Sequence, residues 1–371
     1  MSDRTSASVN PALAAIVENK VRPQINRARP GFQLIPKIPN EMGQKQVSWD
    51  VTFGTAGTGT AAVADGADLD DSEAAVDTIQ QATLPMRCYK GQFNITGLAD
   101  AMAEYTGNPA DLKNLKVFEL DRCSQRLGVD MANDALTGDG VGNGVRIPVV
   151  GLLTPDPSDT SKNTGGLLDT GVYAGLSRTT YSQWAGNVMN ASTLTGGAVT
   201  PALFRKTVTA IITRDALSRA PSVILASPRA WDKAASVFDP QRRYEEEINT
   251  VTTAMGNVIT LDAGVRSMSF DGVPMIRDPG ISEASTGTFL FLNLDEVAAR
   301  YIPFPSAADI ESGDIMVTKA YGAVSTKTGL MYKMIKLAQN GDKERYALIS
   351  YWQMQVGSCN SHAVVSGINI D

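Results

Sequence analysis

The strongest hydrophobic pattern in the chain runs through NPADLKNLKVFELDRCSQRLGVDMANDALTG. Leu112, Leu115, Phe118, Cys123, Leu127, Met131 and Ala135 recur there at mostly three or four residue steps. That period predicts one long amphipathic helix over 108–136, with Asn108 as cap, Pro109 in its first turn and Gly138 at its end. About 28 residues at ~1.5 Å each make a rod of roughly 40 Å. A second helix is signalled by TPALFRKTVTAIITRDAL, capped by Thr200, with Pro201 first and Phe204, Val208, Ile211 and Ile212 on one face.

Elsewhere the pattern shortens to strands. QVSWDVTF and ATLPMRCYKGQFNI are alternating or rich in β-branched and aromatic residues, while GTAGTGTAAVADGADLDDSEAA between them is too poor in large apolar residues to pack a core. Together they predict a long two-stranded projection with an acidic tip. Because a lone hairpin is marginal in water, it is expected to lie on a neighbour. PSVILASPRAWDKAASVF predicts a buried strand running into a short helix begun at Pro228, and SMSFDGVPMIRDPG a hairpin turning at Asp271-Gly272. GTFLFLNLDEVAARYI predicts a strand and a short helix, and MYKMIKLAQ and RYALISYWQMQVGS two strands joined at NGDKE. Prolines 11, 23, 30, 36 and 39 break residues 1–45 into short extended pieces around one short helix from Pro11 to Lys20. The fold class is α+β, without internal repeats.

Composition adds sign to this layout. The 371 residues carry a net charge of -6, which excludes a surface that grips nucleic acid all over and leaves only local contacts. Within that total, residues 1–45 hold seven basic and three acidic side chains, net +4, whereas 46–95 hold seven acidic and two basic, net -5. The reversal makes Arg22, Arg27 and Arg29 on one side, and Asp65, Asp68, Asp70, Asp71 and Glu73 on the other, candidates for contact between subunits. No secretory signal or membrane-spanning run is present, and three widely spaced cysteines with no CxxC point to synthesis in a reducing cytoplasm.

Candidate chemistry is sparse. Gly138, Gly140, Gly142 and Gly144 follow a helix C-terminus, the wrong pole for an anion, and no Lys-Ser or Lys-Thr follows, so a phosphate loop is excluded in favour of a turn. Asp139 and Asn143 supply too few carboxylates for a calcium loop. His362, with Cys359 and Ser361 in GSCNSHAVVSG, reads as a surface or edge-strand residue rather than a base beside a nucleophile. Glu245, Glu246 and Glu247 read as a solvated helix face, which leaves a carboxylate hydrolase only as a remote alternative. No catalytic residue, cofactor or metal ligand is assigned.

The order of parts, with LTGDGVGNGVRIPVVGLL, GVYAGLSRTTYSQW and SFDGVPMIRDPGISEASTGTFLFLNLDEVAARYI, resembles the major capsid proteins of tailed bacteriophages, the Hong Kong 97-type fold. The resemblance implies an N-arm at 1–45, an extended E-loop at 46–97, a P-domain at 98–150 with its spine helix at 108–136, an A-domain at 151–288, and a return to the P-domain over 289–371. The glycine turn becomes a hinge-like connection from spine helix to A-domain. The implied function is a structural, self-assembling shell of hexamers and pentamers around double-stranded DNA, bound without sequence specificity, in the virion and away from membranes. A portal and a decoration protein are implied partners. Some members carry a scaffolding segment of about a hundred residues ahead of the arm; no room for one here implies a separate scaffolding protein. The type member also welds its shell through lysine-asparagine bonds from the E-loop, and residues 46–89 contain no lysine. An encapsulin, a bacterial compartment loaded with enzyme cargo, is the alternative within the same fold.

Overall fold

The computed structural model of the chain describes residues 29–40, 45–54, 78–98, 109–142, 146–154, 163–238, 246–252, 258–283, 285–303, 322–324, 331–338 and 341–370. In chain order these form α1 (Pro30–Leu34), β1 (Lys37–Pro39), β2 (Gln46–Phe53), β3 (Thr78–Pro85), β4 (Arg87–Thr96) and α2 (Pro109–Thr137). Next come β5 (Val172–Tyr173), β6 (Leu176–Ser177), β7 (Asn187–Asn190), α3 (Ala191–Thr195), α4 (Pro201–Arg214), β8 (Val223–Ala226) and α5 (Pro228–Phe238). The chain continues through β9 (Glu246–Thr252), β10 (Val258–Phe270), β11 (Val273–Arg277), β12 (Thr286–Leu292) and β13 (Val297–Tyr301). It closes with β14 (Gly322–Val324), β15 (Met331–Leu337), β16 (Lys343–Val356) and β17 (Ala363–Asn369).

Two large sheets organise these elements. The first, of six strands, runs β1-β13-β16-β15-β14, with β4 also on β16. Strand β16 is long enough to hold three partners: β4 along 343–352, β15 along 345–349 and β13 along 352–356. Helix α2 crosses this sheet, its Cys123, Leu127, Met131 and Ala135 all buried as the period requires. The fit is close, since a Cβ on Gly91 of β4 would come within 2.8 Å of Cys123 Sγ. The side chains of Leu112, Leu115 and Phe118, and the cap Asn108, lie outside those described, as does the segment Pro11 to Lys20.

The second sheet runs β7-β17-β12-β8-β11-β10-β9. Helices α4 and α5 cover one face around Phe204, which meets Phe238, Phe270, Phe289 and Phe291 at 4.9–5.6 Å between ring centres. Ile224, Ala226, Phe289 and Phe291 face that cluster, while Val223, Leu225, Leu290 and Leu292 enter the core under the first sheet. Burial on both faces explains the continuous apolar runs in β8 and β12.

Several sequence expectations change. Thr200 does cap α4, accepting from Leu203 N–H at 3.2 Å, but its buried side is Leu203, Phe204, Thr207 and Ile211, and Ile212 is left 36% exposed. The Asp271-Gly272 turn is as expected, with φ of 49° and 80°, the pair of positive values a tight hairpin needs. The strand read over 82–95 is two strands: Met86 donates to Lys45 O at 3.1 Å, ending the pairing of β2 with β3, and the chain then joins β16 as β4. The helix expected in DEVAARYI is strand β13, because its residues are claimed by β16 on one side and β1 on the other. Glu246 and Glu247 lie in strand β9 rather than on a helix, paired with β10; Glu245 lies outside the described residues. Membership of the second sheet also crosses residue 288, since β12 spans it and β17 comes from the last residues of the chain.

Candidate assembly surfaces

The hairpin is a complete antiparallel ladder, from Gln46 opposite Pro85 to Phe53 opposite Thr78. Alternation puts Val47, Trp49, Val51 and Phe53 on one face with Ala82 and Leu84, and that face is covered by the same chain, not by a neighbour as expected. Phe53 stacks on Tyr181 at 4.4 Å and meets Trp184 edge-on at 6.1 Å; Trp49 lies 6.4 Å from Tyr173. Thr83 N–H donates to Ala174 O at 2.9 Å. Ile79, 65% exposed, faces outward.

Arg178 builds this aromatic socket. Its guanidinium, on a residue only 3% exposed, donates to Thr164 Oγ1 and to the carbonyls of Thr170, Gly165, Gly166 and Trp184, and lies 5.6 Å from the Tyr173 ring. Each of these acceptors is neutral, so the guanidinium is solvated by backbone dipoles in place of water. Trp184 Nε1 donates to Tyr173 O at 3.2 Å, and Tyr173 Oη accepts from Val356 N–H at 3.0 Å, which ties the socket to β16. Tyr173, Tyr181 and Trp184 read in the sequence as aromatic residues of a domain core, and they do line the core; the Arg178 network that holds them has no sequence signal.

The arm enters at Arg29. Its Nη2 donates to Asn133 Oδ1 on α2 at 3.0 Å. Two residues on, Gly31 N–H donates to Asp278 Oδ2 at 3.0 Å, and Gly280 N–H to Asp278 Oδ1 at 2.7 Å. Burial pushes the Asp278 carboxyl up, against the pull of these donors and of the Arg29 charge. Lys37 closes α1 by donating to Phe32 O and, at 3.0 Å, to Gln33 O, and burial lowers its amine to about 7. Arg29 is therefore engaged within its own chain. Arg22, Arg27, Asp65, Asp68, Asp70, Asp71 and Glu73 lie outside the described residues.

The glycine run is a pinned turn rather than a hinge. Gly138 is not left-handed; it is required by proximity, since a Cβ there would sit 2.3 Å from Val149 O. Residues 151–153 fold back on the helix end, so that Gly151, Leu152 and Leu153 N–H satisfy the carbonyls of Gly138, Ala135 and Leu136 at 2.7–2.9 Å. Asp139 Oδ1 accepts from Val141 and Gly142 N–H, a local turn bond that occupies both amides.

His362 is fully buried, not at a surface or edge. Its Nδ1 accepts from Asn293 N–H at 3.1 Å, so the ring proton sits on Nε2, and Ser361 donates past it to Asp215. The Ser361 hydroxyl is bonded to Asp215 and not to His362, and all three residues are buried, so the imidazole is not placed as the base of a nucleophile pair. Between β4 and α2 a cleft of about 120 Å³, lined by Lys90, Glu119, Cys123, Arg126 and Asp130, is below the size of ordinary small-molecule sites. Among the described residues no group of three His, Cys, Asp or Glu side chains could hold a metal, and no helix is long and apolar enough to cross a membrane.

No protein-family model matches the sequence, and no curated protein matches it. Solved structures do. The subunit in the cyanophage A-1(L) capsid is 14% identical, with 93% of this chain and 94% of that chain covered at a TM-score of 0.64. This chain has the Hong Kong 97-type capsid fold. The same capsid fold aligns with the capsid of Myoviridae phage XM1 at 10% identity, 94% and 95% coverage and a TM-score of 0.53. It also aligns with the SrpI encapsulin of Synechococcus elongatus at 13% identity, 96% and 95% coverage and a TM-score of 0.51.

Proposed function

We propose that this chain is the major capsid protein of a tailed double-stranded DNA phage, assembling as hexamers and pentamers into an icosahedral shell. The observation that carries the reading is the likeness to a phage capsid subunit over 93% of the chain. One heterologous contact repeated with closing curvature makes such a shell. The arm, E-loop, P-domain and A-domain boundaries of the resemblance belong to this proposal, as do a separate scaffolding protein, a portal and a decoration protein. The charge reversal supports pairing of Arg22 and Arg27 with the acidic 65–73 segment of a neighbour. Each exposed pair contributes about 0–1 kcal/mol and is screened by salt, but a shell repeats it many times.

Negative-stain microscopy of the chain co-expressed with its scaffold tests the shell: closed particles are expected, and a monomer or small oligomer overturns it. Reversing Arg22 and Arg27 to Glu is expected to lower particle yield at low salt, and an unchanged yield removes the charge pairing. The encapsulin reading rests on the likeness to SrpI. DNA inside particles from infected or induced cells favours the phage head; protein cargo without DNA favours the encapsulin.

A further inference from the structure

The chain passes directly between its two sheets at two short tethers. One is the turn 293–296 between β12 and β13; the other is 357–362 between β16 and β17. They lie side by side: Gly357 N–H donates to Glu296 O at 2.7 Å, and Asn293 N–H to His362 Nδ1 at 3.1 Å. A third segment, the turn after α4, reaches both. Ser218 holds a left-handed φ of 51°, which turns Arg219 back onto Asp215. Arg219 N–H and Nε donate to Asp215 Oδ2 at 2.8 and 3.2 Å, and its Nη2 to Asp215 Oδ1 at 3.2 Å. The same Nη2 donates to Glu296 Oε1, on the first tether, at 2.7 Å. Ser361, on the second tether, donates to Asp215 Oδ1.

One carboxylate and one guanidinium thus join α4 to both crossings. Asp215 has a fully buried side chain and Arg219 one only 13% exposed, so water competes little for these bonds. Burial alone would raise the Asp215 carboxyl, and the donors from Arg219 and Ser361 outweigh it and hold it below its usual range. A non-glycine residue held at positive φ next to a fully bonded pair is the mark of a turn fixed by its surroundings.

We infer that Asp215, Arg219, Glu296 and Ser361 form a clasp across both tethers that fixes the angle between the two sheets, and with it the curvature a subunit brings to its contacts. Besides the core they share through Val223, Leu225, Leu290 and Leu292, the two sheets are linked directly by turns of four and six residues, a line about which they could rock. The clasp suppresses the motion by tying each tether to a helix of the second sheet. For particle size this rests on the shell reading; for the subunit alone it does not.

The test uses both levels. In the full-length chain, Cys88→Ser removes the exposed thiol, and spin labels at Lys343→Cys on the first sheet and Ser269→Cys on the second report the intersheet distance by electron double resonance. The parent should give one narrow distribution. Glu296→Ala and Ser361→Ala, which cut the clasp at one tether each and leave the buried Asp215–Arg219 pair in place, should each broaden it, with circular dichroism unchanged. Distributions as narrow as the parent's in both variants overturn the clasp. In assembled particles the two variants should widen the diameter distribution; a broadened subunit distance with unchanged diameters overturns the link to curvature. Failure of the parent to form any particle counts against the shell reading, and the distance measurement still judges the clasp.

Discussion

His362 and Arg178 illustrate opposite ways of burying a nitrogen-rich side chain. Arg178 surrounds its guanidinium with the carbonyls of Thr170, Gly165, Gly166 and Trp184. His362 has one partner, the Asn293 N–H, and stays neutral: burial lowers it from the ordinary 6.5 to about 3. Between those values the unfolded chain takes up a proton that the folded chain refuses. The stabilisation is complete above the unfolded value and falls as pH drops from 6.5 toward 3, by about 1.4 kcal/mol per pH unit. Asp215, with its lowered carboxyl, loses its contribution only further down, as pH falls below the ordinary 3.8 and through the folded value. Urea midpoints between about pH 6 and pH 4 are therefore expected to decline in the parent and to decline less steeply in His362→Gln, whatever that variant's absolute stability. An equal slope in the two proteins would place the acid sensitivity elsewhere.

At the scale of elements, α2 carries the clearest prediction. Leu127, 5% exposed, packs toward β4, and Leu127→Ala should cost about 2–5 kcal/mol, read as a lower denaturation midpoint and a subunit prone to aggregate. This helix was legible because its apolar period, Pro109 and the glycines beyond its end all agree. Strands β2, β8 and β16 were legible for the same reason, alternation or a continuous apolar run bounded by turn residues. Strand β13 was not: Ala298, Ala299 and Arg300 favour a helix locally, and only the flanking strands β1 and β16 decide otherwise. The start of β3 was hidden because Thr78, Ile79, Gln80 and Gln81 show no alternation, their pairing being dictated by β2. The surfaces were harder still. The charge reversal is local in sequence and could be read, whereas the bond from Ser361 to Asp215 spans 146 residues and the Arg178 socket is assembled from loops without a periodic signal.

At the scale of the molecule, the absence of lysine from residues 46–89 removes the amine a covalent weld from the hairpin would use. Assembled particles boiled in reducing denaturant are expected to release a single band at 39.4 kDa; a ladder of multiples would implicate a lysine outside that stretch, with exposed Lys90 on β4 the first to replace. Strand β16 has a different kind of consequence, one of timing. It is the centre of the first sheet, yet it is synthesised after every other strand of that sheet, with β4 waiting from residue 96 until residue 343 for its partner. Pairings of such long separation close slowly and leave edges open meanwhile. The emerging chain can finish the α4–α5 helices and the β10–β11 hairpin on its own, but it cannot complete the sheet beneath α2 until β16 has been made. In the proposed shell, a neighbour that recognised that sheet would meet only subunits whose translation had passed residue 356, and the order in which the ribosome delivers the strands would keep half-made chains out of the growing lattice.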